Sequence, residues 1–396
     1  MRKIISMTFS FGLSLFLLIP FIDLFLADAS AETLKIGVIT SITGPMSPGF
    51  KPIYEAAKPA EILLNRMGGI TVKGNRYDIE MITEDDQSSP PGAVAAANRL
   101  LQQKIKYIIP PMFIPSNMAI SQMCEETKVI RMKTLGMSLD EIKPELRYSF
   151  FSSSSLYHWK PVYDFFQKNY PGAKRIAHVM PEDPGAVFSR DLSRKEIKER
   201  GLELVFEDSF KMGTEDYYPL LTKALQEKPD AIVILLSIVP WASGIINQSR
   251  ELGFKGPIFC GSPMGDVNLI NGIINKDYAY DIFAGGPDTL SDKMLPMVRE
   301  HRKLVEQSST NPYVLDSLWP LDGAYIIKQC IEAAQSLDTD MFVDAVENKM
   351  TSVDTIWGTG EWGGEDLYGI KHVVRMPIPF SRIMNGKVEY ELMNYK

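Results

Sequence analysis

"IGVITSITGPMSPGFKPIYEAAKPAEILLNRMGGITVKGNRYDIEMITEDDQSSPPGAVAAANRLL", Ile36 to Leu101, is the stretch that decides the fold. It opens on a β-like run, "IGVIT", crosses a small polar loop and enters the helical run "FKPIYEAAKPAEILLNR". That run ends at Gly68-Gly69, and helices commonly end at glycine. Pro59 lies inside it and predicts a kink. "YDIEMITED" reads as the next strand. "SSPPGAVAAANRLLQQ" then opens with capping serines and with prolines suited to a first helical turn. Strand, helix, strand, helix in this order implies parallel strands joined by helical crossovers.

The alternation continues outward. "KYII" and "KVIRM" are strand-like and flank a stiff apolar loop, "IIPPMFIPSN" (Ile108 to Asn117), which leads into the helical run "MAISQMCEET". Around "RYSFFSSSS", Arg147 to Ser155, the pattern restarts. "WKPVYDFFQKNY", "VFSRDLSRKEIKERG", "YYPLLTKALQEK" and "WASGIINQSRELG" are helical, and "RIAHVM", "LELVFEDSF", "DAIVILL" and "PIFCG" lie between or after them as strands. After "DIFAGG" three helical runs follow, and the end, "KHVVRMPIPFSRIMNGKVEYELM", reads as strands around an Asn-Gly turn. The expected fold is α/β, with two doubly wound parallel-sheet lobes. Ligands of open α/β sheets sit beyond the carboxyl ends of the strands, so two such lobes predict a cleft between those ends.

The first residues address the protein. "MRK", the uncharged run "IISMTFSFGLSLFLLIPFI" and "ADASA" form the three parts of a secretory signal peptide, which predicts a leader over 1–31 and cleavage after Ala31. No cysteine near Ala31 offers a lipid anchor, and no later stretch is apolar enough to span a bilayer. Arg2, Lys3, Asp23 and Asp28 cancel, so the mature chain keeps the net charge of −7. A mildly acidic, well-mixed surface argues against nucleic acid. Cys124, Cys260 and Cys330 form no CxxC and read as small buried apolar residues. His158, His178, His301 and His372 are scattered without metal-ligand spacing, so neither a metal nor a cofactor is expected.

"GTGEWG", Gly358 to Gly363, matches G-x-G-x-x-G but is not followed by a helix, which leaves a glycine-rich turn. "EDD", Glu84 to Asp86, reads as a solvated strand end feeding the N-terminus of the next helix. Aromatic residues gather at strand–helix junctions: Phe50, Phe113, Tyr157, Trp159 and Trp241. An apolar wall with few polar groups suits a small-molecule pocket.

The arrangement resembles the solute-binding proteins of ABC importers, specifically the branched-chain amino-acid (Leu/Ile/Val) binding family of the type I periplasmic fold. Ile36 to Leu101 carries most of the resemblance through its "TGP" loop, "N..GGI.V.G", a strand ending in "DD", and "A...AN.L". "IKYII", "SRELGFKGPIFCG" and "VDTIWGTGEW" extend it over nearly all of the mature chain. The resemblance implies two lobes joined by three hinge crossings, with 33–149 plus 286–355 in lobe one and 150–285 plus 356–396 in lobe two. It also implies a periplasmic protein, not an enzyme, that closes on a solute and presents it to a membrane permease.

Carried over residue by residue, the family's carboxylate-binding serine falls on Ile114, with Ser116 and Asn117 just beyond. Its next binding loop falls on Leu135, Gly136 and Met137, and its first-loop aromatic falls near Gly49–Phe50. Its second-lobe tyrosine falls on Ile238 and its ammonium-binding carboxylate on Pro263, with Asp266 three residues on. Polar anchors for a zwitterion have become apolar here, and a buried ammonium without a carboxylate partner costs several kcal/mol. The expected solute is therefore more hydrophobic than an amino acid, an aromatic or short aliphatic carboxylate. It would be held by Phe50, Phe113, Ile114, Leu135, Met137, Trp159, Ile238 and Trp241, with Lys133 meeting the carboxylate. Two rivals remain: an enzyme, for which no nucleophile–base pair is visible in the sequence, and a sensor or chemotaxis adaptor of the same fold.

Overall fold

The strand Glu32–Thr40 sets the first sheet. Its side chains alternate between faces. Ile36 and Val38 pack under the helices Ser47–Arg66 and Trp319–Ala334, and Ile39 packs under Pro90–Gln102 with Ala93, Ala96 and Leu100. The first of these helices runs uninterrupted through Pro52 and Pro59. Its buried Ala56, Ala57, Ala60, Leu63 and Leu64 supply the packing that offsets the lost backbone bonds. It ends where Gly68 and Gly69 take φ values of 103° and 63°, which an L side chain rarely adopts. Pro90–Gln102 is capped as expected: Ser89 Oγ accepts the Gly92 N–H at 3.1 Å.

The computed structural model describes residues 32–260, 267–286 and 288–393. The leader expected over 1–31 lies outside them. Among the described residues the strands form one nine-stranded and one seven-stranded sheet. The first sheet runs, edge to edge, Ser352–Thr355, Gly358–Gly363, Val373–Arg375, Ser149–Phe151, Ile130–Lys133, Tyr107–Ile109, Glu32–Thr40, Asn75–Asp85, Ile70–Val72. The second runs Lys387–Met393, Ile378–Met384, Ile282–Gly285, Ile258–Cys260, Ala231–Ile234, Arg175–Pro181, Glu203–Phe210. The centre of each is parallel; both edges of the first sheet and one edge of the second are antiparallel, whereas the second sheet's other edge strand, Glu203–Phe210, pairs parallel. In the second sheet Val179 and Ile234 face Leu221, Ile245 and Ile246, whereas Ile176, Val233 and Phe259 face Trp159, Val162 and Phe166.

Three sequence expectations change. The chain passes between sheets for the third time at Met376–Pro377, not at 355/356. Ser352–Thr355 and Gly358–Gly363 form a hairpin that continues the first sheet through Val373–Arg375, with Trp362 set edge-on to Phe150 at 6.1 Å. "GTGEWG" is consequently a strand and not a turn; a Cβ on Gly360 would stand 2.5 Å from Val374 Cγ1. "MAISQMCEET" is two short helices, Ile114–Ala119 and Ser121–Glu126. The C-terminal hairpin is as expected, with Asn385 and Gly386 at φ 53° and 73° in its turn.

Candidate functional site

Strand order locates the site. In the first sheet the chain steps from Glu32–Thr40 to Asn75–Asp85 on one side and then to Tyr107–Ile109 on the other. In the second it steps from Arg175–Pro181 to Glu203–Phe210 and then back to Ala231–Ile234. Each reversal leaves a crevice at the carboxyl ends of the strands it separates. The loops leaving those strands meet. Among the described residues they enclose a cavity of about 30 Å³ lined by Met46, Phe50, Met112, Phe113, Ile114 and Met137 from the first sheet. Asp183, Leu236, Ile238 and Trp241 line it from the second. Nine of these ten side chains carry no charge. The space takes about one water molecule.

Of the expected residues, Phe50, Phe113, Ile114, Met137, Ile238 and Trp241 line this cavity. Leu135 is buried in the core beside it. Gly136 is fixed by sterics: a Cβ there would lie 2.1 Å from the Phe151 ring. Trp159 is buried against Tyr163 and belongs to the second sheet's packing. Asp266 lies outside the described residues. Met46, Met112, Asp183 and Leu236 complete the lining and were not anticipated.

Lys133 is the clearest correction. It does not end its strand in solvent or reach toward a solute. It is 1 % exposed and ion-paired with Glu141, itself 1 % exposed. Glu141 also accepts from Asn117 Nδ2 at 2.8 Å and from the Met137 and Ser138 N–H groups at 3.1 Å each. Arg131 completes the cluster, donating from Nη1 to Asn117 Oδ1 at 2.7 Å. Burial pushes the Lys133 ammonium below its ordinary pKa, with Glu141 opposing that shift. Asn117 is thus committed to the chain's own charges. The buried Ser116 Oγ has no hydrogen-bond partner among the described residues.

Asp183 is the charged group of the lining. It caps the helix Pro184–Glu199, accepting the Gly185 N–H at Oδ1, 2.7 Å away. Burial raises its pKa, and the Gly185 and Ala186 N–H groups, with Lys133 beyond them, oppose the shift. It offers a hydrogen-bond acceptor to the cavity from the second sheet's side.

The "EDD" carboxylates are structural, and Asp86 is buried, contrary to the solvated strand end expected. Asp86 Oδ1 accepts from Ser41 Oγ at 2.6 Å and from the Ser88 N–H at 2.8 Å. Asp85 accepts from the Ile42 N–H and from Thr43 Oγ1 at 3.0 and 2.6 Å. Together they hold the loop that delivers Met46 and Phe50.

One chain of groups resembles a hydrolytic triad, a pairing not visible in the sequence. Ser193 Oγ lies 3.0 Å from His178 Nε2, and His178 Nδ1 lies 3.0 Å from Glu207. Both Ser193 and His178 are 0 % exposed, and Ser193 also bonds Tyr163 Oη at 2.7 Å. No substrate reaches it, and it ties the helix Pro184–Glu199 to the sheet. Among the described residues there is no group of three potential metal ligands, and no helix is long and apolar enough to cross a membrane. Cys124, Cys260 and Cys330 are buried and free.

Comparison with known proteins agrees with this layout. The family model described as "Periplasmic binding protein" matches residues 33–383. The Leu/Ile/Val-binding protein of Escherichia coli (strain K12) is 24 % identical over 367 residues, covering 87 % of this chain and 90 % of that protein. A leucine-binding protein from Thermotoga maritima superposes with a TM-score of 0.72 at 21 % identity, over 91 % of this chain and 99 % of the other. A solute-binding protein of an ABC transporter from Rhodopseudomonas palustris BisB5, in complex with 3,4-dihydroxybenzoic acid, gives 0.72 at 18 %, over 91 % and 95 %. Two sheets reversing about a shared cleft, and a family match over nearly the whole described chain, lead to one conclusion: this chain belongs to the periplasmic binding protein family.

Proposed function

We propose that this protein captures a small, largely apolar solute in the periplasm, by hinge closure between its two sheets, and delivers it to the permease of an ABC importer. The observation that carries this reading is the lining of the shared crevice, in which loops from both sheets contribute nine uncharged residues and one carboxylate. A ligand that touches both sides favours the closed form through its differential contacts.

The solute class we favour is an aromatic or aliphatic carboxylate that also carries a hydrogen-bond donor. Apolar surface on Met112, Phe113, Ile114, Met137 and Leu236 suits its body. With Lys133 engaged by Glu141, the solute's carboxylate is directed away from Asp183, toward the mouth of the cleft. Asp183 suits a hydroxyl, as borne by the dihydroxybenzoic acid bound to the Rhodopseudomonas neighbour. Asp183 also favours a second reading, in which it takes the ammonium of a branched-chain amino acid, as the names of the Leu/Ile/Val-binding relatives suggest.

Mass spectrometry of co-purifying solute, followed by a thermal-shift panel, separates the two. A ligand at a hundred times its Kd stabilises the fold by about 2.7 kcal/mol. Stabilisation by hydroxybenzoates or alkanoates, and not by leucine, isoleucine or valine, is the expected result. The reverse pattern would refute the solute class and install the amino-acid reading.

A further inference from the structure

The cavity between the switch points shares a wall with a second compartment. This vestibule has a volume of about 680 Å³ and shares Met46, Phe50, Ile238 and Trp241 with the inner cavity. Its outer wall is formed by Met212 and Ile273, which leave 47 % and 55 % of their surfaces exposed. Trp241 is held in place by an edge-on contact with Phe210 at 5.7 Å. Large apolar side chains left in solvent beside a concave apolar space mark a binding surface.

We propose that the vestibule is a second ligand compartment and that the physiological solute is elongated: a polar head at the inner cavity beside Asp183, and an alkyl or arylalkyl tail between Trp241, Met212 and Ile273. The proposal rests on the apolar-solute reading and deepens it. Size supports it. The inner cavity has room for about one water, whereas 680 Å³ lies within the range of small-molecule sites. Adjacency supports it as well, because Met46, Phe50, Ile238 and Trp241 line both compartments. The polar groups of the vestibule, Thr214, Glu215 and Asn247 among them, belong to elements of the second sheet's side.

The test is a chain-length series followed by calorimetry: straight-chain primary alcohols from butanol to dodecanol, whose hydroxyl suits Asp183, with the matching ω-hydroxycarboxylates in parallel. Each methylene moved from water to an apolar wall strengthens binding about fourfold, so affinity in either series is expected to climb with length until the vestibule is filled. In Met212→Ser/Ile273→Ser, and in Ile273→Ser alone should the double variant fold poorly, the gain per methylene is expected to shrink for the longer members. A wild-type slope in these variants would overturn the proposal. So would affinity that stops rising at the four-carbon members while hydroxybenzoates still bind, an outcome that leaves the solute reading standing. Binding of leucine with no member of either series bound at any length would remove the solute reading and the vestibule with it.

Discussion

Lys133→Met separates a structural ammonium from a ligand-binding one. In the native chain Glu141 receives the ammonium, the Asn117 amide and two backbone N–H groups. Removing Lys133 leaves a carboxylate, 1 % exposed, with three donors. Breaking one side of a buried pair costs about 3–5 kcal/mol because the other charge stays buried without its partner. Three surviving donors keep the expected loss near the lower end, about 3 kcal/mol. Glu141→Gln leaves the Lys133 amine without its carboxylate, and burial already favours its neutral form, so a similar loss is expected. The double variant removes both charges and should lose less than the sum, with a coupling of about 2 kcal/mol in a double-mutant cycle read by urea denaturation. Refutation would take a specific form: Lys133→Met as stable as wild type in urea, yet unable to be stabilised by any solute. The ammonium would then be reading the solute and the network drawn here would be wrong.

Further outcomes are expected. Gly136→Ala drives a Cβ to 2.1 Å from the buried Phe151 ring and should cost about 1–3 kcal/mol, seen as a lowered denaturation midpoint. Asp183→Asn keeps an acceptor but loses the charge; titration calorimetry should show amine-bearing solutes weakened far more than hydroxylated ones, and equal weakening would count against the acceptor role. Acid should destabilise the fold between pH 7.5 and 5.5. Burial pushes His158 and His301 down to about 4, so they stay neutral when folded and take up protons only on unfolding. Stability held above pH 6.5 is therefore lost as pH falls toward 4, about 1.3 kcal/mol per imidazole by pH 5.5. Asp322, raised by burial to about 6, works in the opposite sense. It gains a proton more readily when folded, returning about 0.8 kcal/mol over the same interval. Thermal denaturation at the two pH values should show a net loss near 2 kcal/mol from these groups, and Asp322→Asn should enlarge it.

The architecture was legible because it rests on local pattern. Periodicity, Ser89 before its proline pair and the glycine pair after the first helix all act within a few residues of themselves, and the strand–helix alternation then restricts topology to a doubly wound sheet. The apolar half of the site was legible for the same reason: Phe113, Ile114, Ile238 and Trp241 stand at strand-to-helix loops, and Met46, Met112 and Leu236 gave the same signal unheeded. The charged half was not legible. Whether Lys133 is free or paired depends on a three-residue 3₁₀ turn, Leu139–Glu141, folding back beneath its strand. Whether Asp86 is wet or dry depends on Ser41, on the neighbouring strand's loop. Asp183 stood in "PEDPG", a stretch that reads as an ordinary turn. Its signal was positional: it follows the first strand of the second series, at the place where "TGP" follows the first strand of the first. The strand Gly358–Gly363 was hidden by its glycines, of which Gly360 has no room for a Cβ beside Val374.

The methionines of the crevice carry a consequence for how selective solute binding can be. Met46, Met112 and Met137 line the inner cavity, and Met212 stands outside it. Unbranched thioethers re-pack easily around differently shaped guests. A pocket of that character separates solutes differing by one methylene only about 10–200-fold, and it rejects an added hydroxyl no better. In the proposed importer role such a receptor would act as a generalist, admitting a chemical class at graded affinity and leaving the final choice of cargo to the permease.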